Sequence, residues 1–507
     1  MKISLTGGDY QSRSVLASCQ RRLNMYSEAV SKQQNEPVEL VHYPTPGLTL
    51  LATTPNGYPI RGLYKASNGD LYCAANFDIY YIDKTWKFQF IGSLTKTTIL
   101  NPVKFADNGK HVILCDGTTV NGYSIDMIAK NQLHPLYDPS ASDEFTSSST
   151  GWLGSNFVDF SDTYLIANYI GTPTFYISNS EDVIFDPLQF GAKSSYADPM
   201  VGAIVTHRVI WLIGQLATEV WYNSGGGSGI SLTSGSTTTA NSNNFPFEIM
   251  PGVAIDWGCA ATYSIAKAEE NVFWLAQNLN GDKVVLKGNG YNVQRISNHA
   301  IENVLSNYGD VSDCVGYCYM QQGHSFYVMN FPSADATWVF DLSSNMWHER
   351  CWLDNNGNEH MQRSTQHAFA YNKNVVNDWQ NGNLYSLDLN AYTDNGQVIK
   401  RVVGFPRQVD MESDVRVVYK HLILEMDSGE DLIATDIPQI TLRWSDDKGK
   451  TWNNGLVQPL GTAGQYSALI KFTRLGVSRN RVFQVEWTSN GFVAISCAFV
   501  EVLKAMT

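Results

Sequence analysis

Charge is scarce in this 507-residue chain, with Asp, Glu, Lys and Arg making up only 16% of it, against roughly 25% in an average globular protein. The 35 basic residues are outnumbered by 48 acidic ones, for a net charge of −13. A surface built to grip nucleic acid by neutralising phosphates is therefore disfavoured, although a channel through which DNA slides without sticking is not. No Cys-x-x-Cys pair occurs among Cys19, Cys73, Cys115, Cys259, Cys314, Cys318, Cys351 and Cys497. That scatter predicts free buried thiols made in a reducing cytoplasm. The longest apolar stretch, residues 200–214, is interrupted by His207 and Arg208 and is too short to span a bilayer. The opening MKISLTGGDY has no apolar core of a secretory signal, so neither export nor a membrane anchor is expected.

What is abundant points to strands. Aromatics reach 12%, with 26 Tyr and 13 Trp, and Thr, Ser, Asn and Gly replace the Ala, Lys and Glu of helical patterning. A unit recurs along the chain, made of an apolar strand, a short Gly/Asn/Asp turn and a second strand carrying aromatics. Its copies are residues 62–83, 105–126, 163–178, 207–223, 271–291, 324–347 and 369–389. Their spacing is close to the blade period of propellers, and within a copy the apolar positions alternate, as at Val209, Trp211 and Ile213.

The expected fold is all-β, an irregular six- or seven-bladed β-propeller over 62–405 followed by a β-sandwich or barrel-like unit over 406–507. Residues 1–61 are expected to form an N-terminal strap, and helix to be confined to short turns near 298–308. Residues 224–244 are Gly, Ser, Thr and Asn almost throughout and cannot bury a core. They predict a flexible inserted loop and a candidate partner-binding segment, represented by Gly225, Ser228, Thr237, Asn241 and Asn244.

The sharpest motif is Ser445, Asp447, Gly449, Thr451 and Trp452, an S-x-D-x-G-x-T-W pattern that resembles the Asp box of sialidases and other propellers. Its physical logic is a turn in which the carboxylate accepts backbone N–H groups, Gly takes a positive φ and Trp packs on the hairpin. A structural role is expected. His348-Glu349 is not followed by the second His of a zinc-protease motif, and Cys314, Cys318 and His324 lack a fourth ligand. No nucleophile, base and oxyanion site assembles. No catalytic residue, metal or cofactor is expected.

Several segments, taken in order, carry a resemblance. They are Gly7–Ser14 and Gln20–Tyr26 (GGDYQSRS, QRRLNMY), Thr174–Ser178, residues 219–223, Phe245–Phe247, residues 322–327, residues 336–350, residues 380–385 and residues 442–452. In order and spacing they resemble podophage packaged-DNA stabilisation proteins, the tail-hub or nozzle family. The resemblance implies a non-enzymatic virion tail protein, assembled in the host cytoplasm. It would form a ring, in the usual case a hexamer, below the portal and its adaptor. Such a ring retains packaged DNA, gives it an exit channel without specific binding, and carries a tail fibre, tailspike or needle. The alternative is a phage propeller that binds or cleaves glycans, supported by the Asp-box-like motif and the many aromatics.

Deleting residues 226–243 with a short replacement turn tests the loop. A partner-binding loop predicts empty or leaking heads, or tails lacking distal parts, under negative-stain microscopy. Normal infectious particles would reduce the segment to a tolerated insertion.

Overall fold

The computed structural model describes residues 2–4, 10–11, 19–30, 39–117, 122–130, 132–137, 151–196, 198–225, 245–406, 408–409, 416–428, 438–461, 464–465 and 467–504. Of the loop named above, Gly225 is described, while Ser228, Thr237, Asn241 and Asn244 lie outside these residues.

Seven antiparallel blades of at least four strands follow one another along the chain, the sixth and seventh as parts of larger sheets. Blades 1 to 4 run from Ile60–Lys65 to Phe88–Ser93, Lys104–Asp107 to His134–Pro135, Val158–Ser161 to Phe185–Ala192, and Met200–Thr206 to Phe247–Ile249. Blade 5 begins with two short segments, Gly258–Cys259 and Ala266–Ala268, and ends at Asn292–Arg295. Blade 6 runs from Val315–Gln321 to Met346–Leu353. Each of the seven recurring units lies in a different blade. The one described α-helix, His299–Asn307, sits between blades 5 and 6, where the Asn298 side chain caps its N-terminus by accepting from the Ile301 N–H.

The alternation serves a different purpose from the usual core-versus-solvent split. In blade 4, Trp211 and Ile213 pack with Val272 and Trp274 of blade 5, whereas Ile210 and Leu212 pack with Ile166, Phe175 and Ile177 of blade 3. Both faces of an inner strand are thus buried, and all eight residues of His324–Phe331 are buried. Such a strand reads as a continuous apolar run. Seven clusters of this kind lie between successive blades, the last joining Val375 and Leu384 of blade 7 to Leu71 and Cys73 of blade 1. The ring of blades is closed.

Closure uses distant sequence. Blade 7 contains His367–Ala370, Lys373–Asn377 and Asn383–Asp388, and its outer strand is Gly47–Thr53. A Cβ at Gly47 would stand 2.4 Å from the Ala391 carbonyl oxygen, so this close approach requires glycine.

The second unit is a sandwich. One sheet carries, in order, Ser467–Thr473, Val417–Ser428, Val493–Lys504, Glu39–Pro44 and Met25–Val30. The other runs through Lys400–Gly404, Asn480–Thr488, Gln439–Ser445 and Leu456–Pro459. Leu422, Leu424 and Phe472 of the first face Leu442, Phe483 and Val485 of the second in one buried cluster. Among the described residues before 62, Lys2–Ser4, Met25–Val30 and Glu39–Pro44 join the sandwich and Gly47–Thr53 joins the propeller, in place of one continuous strap.

A two-residue strand, Arg22–Leu23, joins them. Leu23 lies opposite Glu349 of blade 6 in parallel register and opposite Val402 of the sandwich in antiparallel register, making one continuous 11-stranded sheet. The next residue, Asn24, has φ 54°, a left-handed conformation that Asn tolerates. Its side-chain NH₂ donates to the carbonyls of Cys351 (3.1 Å) and Lys400 (2.8 Å), and its Oδ1 accepts from Cys351 N–H (3.0 Å). One buried amide therefore binds main chain on both sides of the join.

Asn24→Ala removes three hydrogen bonds to buried backbone groups. It is expected to cost about 3 kcal/mol in chemical denaturation and to split one unfolding transition into two. A loss below about 0.5 kcal/mol would show that the join draws its strength elsewhere.

Candidate functional site

The join carries a network of polar and charged side chains. Arg21 Nη2 reaches Glu349 and Glu359, at 2.7 Å each, and Lys400 Nζ pairs with Glu359 at 2.9 Å. Inside this layer, Asp394 is half-buried beside Arg363, Arg401 and Arg350, and desolvation pushes its carboxyl up to about 7 despite them. Burial also brings the Arg401 guanidinium down to about 10. Asn24, Arg350, Arg363, Gln362 and Asp394 wall a cavity of about 30 Å³, room for about one water molecule. The charges are paired between two folded units, and Arg21, Glu349 and Glu359 also line an open pocket of about 190 Å³. This arrangement is suited to fixing one unit against the other.

The motif at 445–452 connects Gln439–Ser445 with Leu456–Pro459 in the sandwich. Asp447 accepts from the Ser445 hydroxyl (2.7 Å), the Thr451 N–H (2.8 Å) and the Thr451 hydroxyl (2.6 Å), while Ser445 Oγ accepts from Gly449 N–H (2.6 Å). The Thr451 hydrogen bonds hold the Asp447 carboxyl well below the usual carboxylate range. Gly449 has φ 96°, as the turn requires, and Trp452 is half-buried. The adjacent Asp446 takes both Nε (2.6 Å) and Nη2 (2.7 Å) of the buried Arg481, whose guanidinium lies over Tyr419 at 4.7 Å. The turn is thereby tied to the sandwich core.

The remaining candidates are dispersed. His324 Nδ1 engages Asp341 at 2.8 Å rather than the two cysteines near it in sequence. Burial pushes up the thiols of Cys73, Cys115, Cys314 and Cys318, that of Cys259 to about 11 and that of Cys351 to about 12. The protonated form is a poor nucleophile or metal ligand. Among the described residues, no group of three His, Cys, Asp or Glu could hold a metal ion, and no helix is long and apolar enough to cross a membrane. Arg21, Arg22, Asn24, Asp394 and Arg401 went unremarked as site residues in sequence. Polar residues beside a strand were their only local signal, and their partners lie up to 376 positions away.

Comparison with known proteins places these units. Residues 1–392 match the family described as Bacteriophage P22 Gp10, beta-propeller, and residues 409–503 match Bacteriophage P22 Gp10, beta-sandwich. No curated protein matches. Among solved structures, the Neurospora crassa Pan2 WD40 domain is similar at 9% identity and TM-score 0.37, over 68% of this chain and 96% of that one. The N-terminal domain of Nup159 aligns at 7% identity and TM-score 0.38, over 71% and 98%. The extracellular domain of the putative one component system BT4673 from B. thetaiotaomicron aligns at 11% identity and TM-score 0.39, over 90% of this chain and 62% of that one.

Two histidines make the join sensitive to acid. His42 lies 3.0 Å from Ser27 Oγ and is held well below its ordinary value by burial and then by Arg22. His348 is held down by burial, then by Arg350, Arg22 and His324. Both fold as neutral rings, whereas the unfolded chain protonates them near pH 6.5. The unfolded state thus binds the extra protons. Stability is full above about pH 6.5 and falls below it by up to about 1.4 kcal/mol per pH unit for each ring. His324, raised by its hydrogen bond to Asp341, and Asp394, whose carboxyl burial raises, act in the opposite direction, and His367, held at about 4 by burial, acts in the same direction as the other two. The melting temperature should therefore drop between about pH 6.5 and 5, and His348→Gln should make that drop shallower. An unchanged slope would assign the acid sensitivity to other groups.

Proposed function

Since the chain belongs to the bacteriophage P22 Gp10 family of phage structural proteins, we propose that copies of it form a ring in the virion tail, below the portal–adaptor complex. The ring retains packaged DNA, provides its exit channel and attaches distal tail parts, all without catalysis. The observation that carries this reading is the family match across both propeller and sandwich.

The architecture supports it. A closed ring needs two different side surfaces on each subunit, held at a fixed angle. The continuous sheet through Leu23 supplies that rigidity. Large apolar side chains are exposed on two separate parts of the molecule. Phe90, Leu188 and Phe190 lie on the outer strands of blades 1 and 3, and Leu469 on the edge strand of the sandwich. Aromatic anchors set among neutral polar groups suit subunit contacts. The net charge of −13 keeps a DNA passage from becoming adhesive if the surplus faces the lumen.

Cryo-electron microscopy of purified tails tests the proposal. A ring of this chain around the channel, with an acidic or neutral lumen, is the expected result. Its absence from the tail would overturn the reading, as would purified protein that cleaves capsular or lipopolysaccharide glycans. A strongly basic lumen would remove the charge argument.

A further inference from the structure

Asparagine is followed by glycine at eleven places in this chain. The pair suits hairpin tips, but it also leaves the Asn side chain open to attack, because glycine puts no Cβ in the way. In that reaction the glycine amide nitrogen closes onto the Asn side-chain carbonyl carbon. Two conditions in the fold decide whether it proceeds. The Asn side chain must be free to rotate onto the main chain, and the glycine N–H must not be committed as a hydrogen-bond donor.

All of these pairs except Asn121–Gly122 lie among the described residues, and all but one of those fail a condition. Asn56, Asn68, Asn108, Asn289, Asn356 and Asn381 hold their side chains in hydrogen bonds. The glycines after Asn280, Asn395 and Asn490 donate to the Asn278 carbonyl (3.1 Å), Thr393 Oγ1 (3.3 Å) and Ser489 Oγ (3.1 Å). Asn454–Gly455 is the exception. It follows the Asp447 turn and precedes the sandwich strand Leu456–Pro459. Asn454 is exposed, and among the described residues neither its side chain nor the Gly455 N–H has a hydrogen-bond partner. The chain on either side is fixed. Asn453 donates its N–H to the Trp444 carbonyl (3.1 Å) and accepts the Trp444 N–H at Oδ1 (2.8 Å), while Leu456 lies opposite Leu442.

We propose that Asn454 is a site of spontaneous deamidation, and that in the folded protein it converts ahead of every other described Asn–Gly pair. The Gly455 nitrogen gives its proton to water and bonds to Asn454 Cγ. The Cγ–Nδ2 bond breaks, ammonia leaves, and a cyclic imide remains. Water then opens either imide carbonyl, giving aspartate or isoaspartate. Either product adds a negative charge to an acidic chain. Isoaspartate also lengthens the main chain by a methylene directly before Leu456, whose side chain packs against the sandwich core. The reaction is independent of the tail reading.

The test incubates the full-length chain in mildly alkaline buffer made with oxygen-18 water, and peptide mapping by mass spectrometry follows each Asn–Gly pair. Asn454 should convert at least fivefold faster than any other described pair, with isoaspartate in excess of aspartate. In urea that preference should fall below twofold, because every pair is then free. Thr393→Ala, which removes the acceptor of the Gly396 N–H, should raise conversion at Asn395 at least twofold, with circular dichroism verifying that the variant is folded. Asn454→Gln should abolish conversion at its own position and prevent the fall in melting temperature that the incubated wild-type chain shows. A second described pair that converts as fast as Asn454, or a preference that persists in urea, overturns the proposal. Conversion at Asn395 unmoved by Thr393→Ala removes its hydrogen-bond basis and overturns it as well.

Discussion

A ring of packed sheets is stable only if its last sheet packs against its first. Here that requirement falls on blade 7, whose outer strand Gly47–Thr53 comes from the opposite end of the propeller sequence. Each inter-blade cluster buries side chains from two sheets at once, so a gap anywhere would expose two apolar faces. Once closed, the ring leaves few unpaired strand edges. The same N-terminal passage that closes it also runs through the sandwich, because Met25–Val30 and Glu39–Pro44 belong to one of the sandwich sheets. Closure and docking of the second unit are thus one structural event.

Between the units, hydrogen bonding works beside apolar packing. The apolar contacts are Leu23, Cys351 and Val402 with Leu353 against them, and Tyr26 and Tyr43 of the sandwich sheet against Phe326 and its neighbours in blades 6 and 7. The rest is the Asn24 amide, the Arg21–Glu349–Glu359–Lys400 chain and the buried arginines around Asp394. Buried networks of this type are costly to form and more costly to break on one side. They fix orientation better than a greasy contact that can slide. A tail subunit whose neighbours meet both units gains from that fixity.

The sequence made much of this legible, for physical reasons that differ between elements. Hairpins such as 207–223 and 324–347 were visible because turns and apolar strands are local. The helix at His299–Asn307 falls within the stretch 298–308 where short helical turns were expected, and the strands of the sandwich were visible through their alternation. The meaning of the alternation at Val209, Trp211 and Ile213 was hidden, since a period of two looks the same whether its second face meets water or another blade. Hidden too were Gly47–Thr53 as a blade strand and Arg22–Leu23 as the join. Their partners lie more than 300 residues away, and no local pattern records such pairing. The Asp447 turn was legible as chemistry, because every hydrogen bond it makes spans four residues or fewer.

The order of strands in the sandwich also has a consequence for how the molecule comes into being. Val493–Lys504 lies between Val417–Ser428 and Glu39–Pro44, and Lys2–Ser4 pairs with it as well. That strand is therefore an interior strand of its sheet. Without it, the pair Met25–Val30 with Glu39–Pro44 and the pair Val417–Ser428 with Ser467–Thr473 would be two separate halves. The long-range pairings that unite them form slowly, and a break in the chain before Val493 leaves the halves with no strand to bridge them.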